Sequence, residues 1–82
     1  MYYLYVLVNE HGDKYIGYTG DLKRRLKEHQ QGHSEYTRQR GSDWRLVYYE
    51  AYLTEELARQ REKALKRNGS MRRWLYKRLS LQ

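Results

Sequence analysis

The run YYLYVLV at residues 2–8 places strand-favouring aromatic and aliphatic side chains at consecutive positions, with no charged residue among them. A strand that is apolar on both faces must be covered on both faces, so this run predicts a central strand of a sheet. The polar stretch NEHGD follows, and Gly12 within it can take the positive φ of a hairpin loop. Residues 14–18 therefore predict a second strand, and we expect Tyr5 and Tyr15 to lie near one another across the hairpin.

The rest of the chain predicts three helices and a third strand. A first helix is predicted at about 21–31, begun by Thr19 or Asp21 and ended by Gly32, and a polar loop follows at 32–43. After a third strand at 44–52, a second helix is predicted from Thr54 to about Asn68 or Gly69, and Ser70 caps a last helix. The order ββαβαα predicts an α+β fold in which a three-stranded, mostly antiparallel sheet is flanked by helices. We expect residues 1–82 to form a single domain whose site is a shallow surface concavity, because so short a chain buries little surface.

The charge of the chain points to a polyanionic partner, most simply nucleic acid, because 17 Lys and Arg face only 10 Asp and Glu for a net charge of +7. Residues 1–22 carry one basic and three acidic residues, residues 23–45 carry seven and three, and residues 46–82 carry nine and four. The positive field therefore belongs to the predicted helices. A basic surface that serves only solubility is the alternative.

Several classes of protein are disfavoured by what the sequence lacks. There is no cysteine for disulfides or thiolate chemistry, and no signal-peptide pattern or apolar run of membrane-spanning length. No helix joins a strong apolar stripe to a clean basic face, as binding to an anionic membrane would require. We expect a cytoplasmic protein that does not bind membranes.

Glu62 is the only acidic residue between Arg59 and Arg78, a stretch that contains nine Lys and Arg. It also shares the spacing of Ala58 and Leu65, which is the line expected to face the core. A carboxylate there needs a partner, and the sequence allows two interpretations of what that partner is. One interpretation is an ion pair with Arg25, Arg61 or Lys66, whereas the other is a divalent-cation ligand, since Mg²⁺ often takes one or two carboxylates and completes its shell with water and phosphate.

Arg25 and His29 stand on one face of the first predicted helix together with Leu22 and Leu26. They therefore flank the apolar anchor of the helix, where an arginine often extends to solvent and a histidine often has a structural hydrogen bond. Most of the 10 tyrosines are expected to be structural, because tyrosine favours strands. No paired carboxylates, catalytic Ser/His/Asp arrangement or zinc spacing is evident.

Taken together, these residues resemble the GIY-YIG nuclease superfamily, and in particular its small stand-alone bacterial members. Tyr3-Leu4-Tyr5 occupies the first motif, with tyrosine in place of its glycine, and Tyr15-Ile16-Gly17 occupies the second. Arg25 and His29 match the arginine and histidine of the first helix, and Glu62 matches the metal-binding glutamate. The resemblance covers nearly the whole chain and includes the same order of elements. The larger family nucleases usually carry a second domain for target choice. We expect residues 1–82 to form one domain without it, so a protein partner could supply targeting.

The resemblance implies a metal-dependent nuclease that acts on DNA or structured nucleic acid, with DNA favoured over RNA. Glu62 would hold one Mg²⁺ or Mn²⁺ ion, and Arg25 would bind a nonbridging phosphate oxygen. Tyr5 or Tyr15 would orient or deprotonate the attacking water, with His29 as the alternative base. Because a phenol is a poor base at neutral pH, a catalytic tyrosine would need nearby cations to lower its pKa.

The remaining expected roles are contacts with the substrate. The residues that position the phosphate are Gly17, Tyr18 and Thr19, with Asn68 as the candidate for an asparagine that some members place after the glutamate. The residues that bind the nucleic-acid backbone are Lys23, Arg24, Arg38, Arg40, Lys66, Arg67, Arg72 and Arg73. A binding module of the same fold that does not cut, or cuts only with a partner, and a basic accessory protein of a ribonucleoprotein are the alternatives. Trp44 or Tyr36 would then stack on bases.

Overall fold

The computed structural model describes residues 1–81, which form three strands and four helices. The elements are β1 (Tyr2–Val8), β2 (Lys14–Thr19), α1 (Leu22–Gln30), α2 (Glu35–Arg40), β3 (Arg45–Tyr52), α3 (Glu55–Arg67) and α4 (Gly69–Arg78). The sheet order is β2-β1-β3, and β1 pairs antiparallel with both neighbours. The predicted α+β fold is confirmed. Among the residues described, no helix combines the length and the apolar character needed to cross a membrane.

The central strand β1 is covered on both faces, as its sequence predicts. Leu4 and Val6 belong to one buried cluster, and Tyr5 and Leu7, which alternate with them, belong to another. All four side chains are at most 1% exposed. The alternation of a strand therefore divides the apolar run between two cores.

Different helices cover the two faces of the sheet. The core on the face of Leu4 is built mainly by α3 and α4, and its buried members are Leu4, Val6, Ile16, Leu65 and Leu75. The core on the face of Tyr5 is built by α1 and the segment before β3, and its members are Tyr5, Leu7 and Trp44, with Tyr15, Leu22, Leu26 and Leu46 packed against them. Because β2 is an outer strand, helices from both faces can reach its free edge.

Side-chain caps begin three of the helices. Asp21 accepts a hydrogen bond from the Arg24 N–H at 3.0 Å and starts α1, and the Thr54 hydroxyl accepts one from Leu57 to start α3. The predicted cap of the last helix is wrong. The side chain of Asn68 accepts a hydrogen bond from the Met71 N–H at 3.1 Å, so α4 begins at Gly69.

The segment predicted as a polar loop at 32–43 contains the short helix α2, so that prediction is wrong in its middle part. Trp44 explains why a six-residue helix is stable there. Its indole Nε1 donates a hydrogen bond to the carbonyl oxygen of Thr37 at 2.9 Å, and its side chain is fully buried. Trp44 is thus neither in β3, which begins at Arg45, nor available to stack on a base.

Candidate active site

Tyr5 lies in the middle of β1, directly opposite Gly17 of β2. A Cβ atom at Gly17 would lie 2.6 Å from the Tyr5 hydroxyl oxygen and 2.9 Å from the Tyr15 ring, closer than non-bonded atoms approach. Only glycine therefore lets the Tyr5 phenol lie across the backbone of β2. The ring centroids of Tyr5 and Tyr15 are 6.2 Å apart, which confirms the expected proximity of the two residues across the hairpin.

The Tyr5 hydroxyl is hydrogen-bonded to His29 of α1, with 2.8 Å between Oη and Nε2. The opposite ring nitrogen, Nδ1, lies 2.9 Å from the hydroxyl oxygen of Thr37 in α2. Thr37 donates its own hydroxyl proton to the carbonyl oxygen of Ser34, so it accepts from His29. This network assigns the histidine proton to Nδ1 and leaves Nε2 to accept the Tyr5 proton.

Burial controls the protonation of this pair. It lowers the pKa of His29 to about 4, and the positive charge of Arg25 contributes in the same direction. Burial also raises the pKa of Tyr5 well above its usual range, an effect that Tyr15 strengthens and Arg25 opposes. At neutral pH both groups are therefore uncharged. Burial outweighs the effect of Arg25, so the pKa of Tyr5 is not lowered as a basic phenol would require.

Tyr15 connects this buried pair to the surface. Its ring centroid lies 4.8 Å from that of His29 and 5.3 Å from that of Tyr36, and the Nζ atom of Lys66 lies over the ring at 5.5 Å from its centroid. Tyr15 is half-buried, whereas Tyr5 and His29 are each 1% exposed. Of the two candidate tyrosines, Tyr15 is the one that solvent can reach.

Arg25 lies beside the Tyr5 phenol and opposes the increase in its pKa. Its guanidinium Nη1 donates to Glu28 Oε1 at 2.9 Å, and both side chains are about one third exposed. The ion pair fixes the guanidinium at the edge of the apolar face of α1. A guanidinium carries five N–H donors, so the bond to Glu28 does not use all of them.

Glu62 lies on α3 at the boundary of the core, with its side chain 20% exposed. Of the three expected cationic partners, Lys66 pairs with it, at 3.3 Å between Nζ and Oε2, whereas Arg25 pairs with Glu28 and Arg61 with Glu50. The Glu62 carboxylate is also close enough to Tyr5 to raise its pKa. Between residues 1 and 81, no three His, Asp or Glu side chains are grouped so that they could hold a metal ion.

Comparison with known proteins identifies the family. The model of the GIY-YIG catalytic domain matches residues 1–77. This chain belongs to the GIY-YIG family. The GIY-YIG catalytic domain is characteristic of a family of nucleases.

The relatives of this GIY-YIG chain include UPF0213 proteins of bacteria. A UPF0213 protein of Streptococcus pneumoniae serotype 4 is 42% identical over 66 residues, which cover 79% of this chain and 66% of the relative. A UPF0213 protein of Streptococcus agalactiae serotype V is 37% identical over 75 residues, with 90% and 84% covered. The chain thus spans just under two thirds of the pneumococcal relative.

A solved structure has the same fold. The solution NMR structure of the UPF0213 protein BH0048 from Bacillus halodurans is 35% identical, with a TM-score of 0.58, and the match covers 99% of this chain and 87% of that chain. The resemblance predicted from the two tyrosine motifs is therefore confirmed at the level of the family and the fold.

The other residues expected to position a GIY-YIG substrate have structural contacts of their own. The Thr19 hydroxyl is buried and bonds to the backbone of Asp21, while Tyr18 is half-buried. Asn68 uses its side-chain oxygen to cap α4. Its amide nitrogen is the group left for a substrate, so a role for Asn68 in binding stays a prediction.

The expected nucleic-acid-binding residues of this GIY-YIG chain are exposed, with one exception. Arg72 is half-buried and donates to the carbonyl oxygens of Leu65 and Lys66, at 2.8 and 2.6 Å, where α3 ends. The exposed members are Lys23, Arg24, Arg38, Arg40, Lys66, Arg67 and Arg73. They lie on all four helices, so basic side chains are present on both faces of the sheet.

Sequence reasoning missed Thr37. Its hydroxyl is the partner of His29, but it lies in a segment predicted to be a loop. The stretch Ser34-Glu35 at the start of that segment is a helix-start signal, because a serine cap is followed by an acidic first residue. That signal would have placed Thr37 within a helix, although not beside His29.

Proposed function

We propose that this chain is an endonuclease that hydrolyses phosphodiester bonds in DNA or structured nucleic acid with one bound Mg²⁺ or Mn²⁺ ion. One observation carries the proposal. The Tyr5 hydroxyl is hydrogen-bonded to the imidazole of His29, and it lies close enough to the guanidinium of Arg25 and the carboxylate of Glu62 for both charges to affect its pKa. Phosphodiester hydrolysis needs these groups together, because water must be oriented while charge on the phosphate is neutralised.

Glu62 would hold the ion. Its carboxylate has Lys66 as its ion-pair partner and stays 20% exposed, so it offers oxygen atoms to an ion whose other ligands are water and phosphate. The absence of a three-residue cluster among the described side chains fits such an ion, which a nucleic-acid phosphate would help to bind. When bound, the ion would polarise the phosphate and stabilise the leaving oxygen.

Arg25 would bind a nonbridging oxygen of the scissile phosphate. Its ion pair with Glu28 fixes the guanidinium in the absence of substrate, so little conformational entropy is lost when phosphate binds. Charge-assisted hydrogen bonds from a guanidinium to phosphate are stronger than neutral ones. A lysine at this position would bring charge without the planar fork.

Tyr15 would contact and orient the attacking water, because it is the accessible member of the tyrosine pair. The Tyr5–His29 pair has a different role. It keeps one proton on Tyr5 Oη and one on His29 Nδ1, and it packs against the Tyr15 ring, which fixes the position of the Tyr15 hydroxyl. A site that is preorganised in this way spends less free energy on reorientation in the transition state.

The test is a cleavage assay on supercoiled plasmid and branched DNA with Mg²⁺, with Mn²⁺ and with chelator. We expect metal-dependent cleavage by the wild type, and its loss in Glu62→Gln, Arg25→Lys and Tyr15→Phe. DNA binding should remain within a few-fold, since the other basic residues supply most nonspecific affinity. The matched control is Glu56→Gln, which removes an exposed carboxylate paired with Arg59 on the same helix.

Two results would contradict the proposal. If cleavage is unchanged in Glu62→Gln, Glu62 is not a metal ligand. If Glu62→Gln and Glu56→Gln lose the same amount of cleavage activity, the negative charge of α3 matters but its position does not. A wild-type protein that binds DNA but cuts in no divalent metal would instead support the alternative, a binding module on the same fold.

A further inference from the structure

A basic, aromatic cavity opens beside Tyr15. It has a volume of about 430 Å³. Strand β2 and helices α2, α3 and α4 each contribute to its wall, and the side chains that matter here are Lys14, Tyr15, Tyr36, Lys66, Arg72 and Tyr76. Its volume is within the range of about 300–1,000 Å³ typical of small-ligand sites.

The lining of this cavity combines two kinds of group. Lys14, Lys66 and Arg72 supply positive charge, and three tyrosines supply aromatic surface. No carboxylate is among the described side chains that line it. Such a lining suits a ligand that is anionic at one end and flat and apolar at the other, which is the chemistry of a nucleotide.

The cations and the rings are already arranged together. The Nζ atom of Lys14 lies over the Tyr76 ring at 5.2 Å from its centroid, and Lys66 lies over Tyr15 at 5.5 Å. Tyr36 is 44% exposed, which is high for an aromatic side chain, and the Arg40 guanidinium lies over its ring at 3.7 Å and holds it in place. The rim of the cavity is thus a fixed aromatic surface that protein contacts do not fully cover.

We propose that this cavity, which we name the nucleotide pocket, binds the nucleotide next to the scissile phosphate with its base unstacked from the strand. The base packs against Tyr36 and Tyr76, and its phosphate contacts Lys66 and Arg72. This inference rests on the proposed function, because Tyr15 belongs both to the pocket and to the site of cleavage.

The pocket has a consequence for the choice of substrate. A base in continuous duplex must leave the stack before it can enter, whereas an unpaired base enters without that cost. The chain should therefore prefer DNA in which the nucleotide beside the cut is unpaired, as in a single strand, a flap or a branch point.

A fluorescent base gives a test that does not depend on cleavage. Single-stranded oligonucleotides with one 2-aminopurine are mixed with the protein in chelator, and quenching reports stacking of that base on an aromatic ring. We expect quenching with the wild type and with Tyr36→Phe. In Tyr36→Leu, which keeps an apolar side chain but removes the ring, we expect the quenching to disappear and the affinity to fall about tenfold.

Another basic and aromatic surface provides the matched control. On α4, Ser70, Arg73, Trp74 and Lys77 line a cavity of about 240 Å³ that shares no residue with the proposed active site. Trp74 is 67% exposed, so it is the more accessible aromatic residue. Trp74→Leu should leave quenching and affinity within twofold of the wild type. If Trp74→Leu removes the quenching and Tyr36→Leu does not, the pocket assignment is overturned.

The cleavage preference separates this inference from the proposed function. The wild type should cut flap DNA at least tenfold faster than matched continuous duplex, and Tyr36→Leu should lose most of that ratio. Cleavage of both substrates at equal rates by the wild type and by Tyr36→Leu would overturn the pocket and leave the nuclease proposal standing. Quenching that depends on Tyr36 without any cleavage would overturn the nuclease proposal and support the pocket as a binding site.

Discussion

The hydroxyl oxygen of Tyr5 lies 2.8 Å from Nε2 of His29, and both side chains are almost completely buried. Either residue alone would destabilise the core, because a buried polar group without a partner loses its hydrogen bonds to water. Together they satisfy one another, and Thr37 satisfies the remaining ring nitrogen. The pair joins β1 to α1, and Thr37 joins both to α2, so the same hydrogen bonds stabilise the fold and position Tyr15.

Thr37 should be essential to this arrangement through its hydroxyl alone. Thr37→Val keeps the shape of the side chain but leaves the N–H of His29 Nδ1 without an acceptor. Because Thr37 is fully buried, water does not replace the lost contact, and we expect a loss of about 1–3 kcal/mol in the free energy of unfolding. Urea denaturation measures it. Thr37→Ser, which keeps the hydroxyl, should recover most of the stability, and equal losses in both variants would show that the methyl group matters instead.

His29 should make the stability of the protein depend on pH. Its pKa is lowered from 6.5 to about 4 in the folded chain, so the unfolded chain binds more protons between these values. The stabilisation is complete above pH 6.5 and is lost as pH falls towards 4. The free energy of unfolding should fall by about 3 kcal/mol in total over this pH range, since each pKa unit corresponds to about 1.4 kcal/mol.

Denaturation curves at several pH values check this dependence. His29→Gln should be less stable at pH 7 but should lose much less stability between pH 6.5 and 4 than the wild type does. The control is His33→Gln, which removes an exposed histidine just after α1 and should retain the wild-type slope. The assignment fails if His29→Gln has the same slope as the wild type.

Gly17 should tolerate no side chain. In Gly17→Ala the added Cβ meets the Tyr5 hydroxyl oxygen at 2.6 Å and its Cζ at 2.7 Å, so the buried ring must move away from His29. We expect a cost of about 1–3 kcal/mol from overpacking, together with loss of cleavage. Gly69→Ala is the contrasting variant, because its Cβ would meet nothing closer than 3.6 Å. Thermal unfolding should show a lower Tm for Gly17→Ala and an unchanged or higher Tm for Gly69→Ala.

The sheet could be predicted from sequence because its signals are local. The run at residues 2–8 is apolar at every position, and a central strand buried on both faces is the structure that needs such a run. The helix α2 could not be predicted in the same way. It has six residues, too few to be stable alone, and its stability comes from the hydrogen bonds of Thr37 to His29 and Trp44.

In the candidate site, too, some features could be predicted from local sequence and others could not. The resemblance to the GIY-YIG family is what points to Tyr5, Arg25, His29 and Glu62 as site residues, because motifs preserve sequence separation. Which of them meet in space depends on how the sheet is covered. The spacing of Glu62 with Ala58 and Leu65 places it on the core side of α3, and ordinary helical spacing also accounts for the ion pairs of Glu62 with Lys66 and of Arg25 with Glu28. No local spacing indicates that the Tyr5 hydroxyl meets His29, which lies 24 residues further along the chain.

Two partly buried glutamates should differ in how much the stability of the fold depends on their charge. Glu50 accepts hydrogen bonds from Tyr48, Tyr52 and Arg61, and although burial works against its ionised form, these donors hold its pKa below the usual value. Glu62 has Lys66 as its ion-pair partner, a single contact on a half-exposed lysine. The carboxylate of Glu50 is therefore committed to the fold, whereas that of Glu62 is available to a ligand.

Glu50→Gln should thus lower the free energy of unfolding by about 1–3 kcal/mol, because one amide cannot accept from all of these donors. Glu62→Gln should change it by less than about 1 kcal/mol, because it removes a single ion pair whose lysine is half exposed to solvent, while it abolishes cleavage. Urea denaturation and the plasmid assay, carried out on both variants at the same pH, measure the two effects. A Glu62→Gln protein that is as destabilised as Glu50→Gln would show that Glu62 serves the fold, and its loss of cleavage would then carry no information about a metal ion.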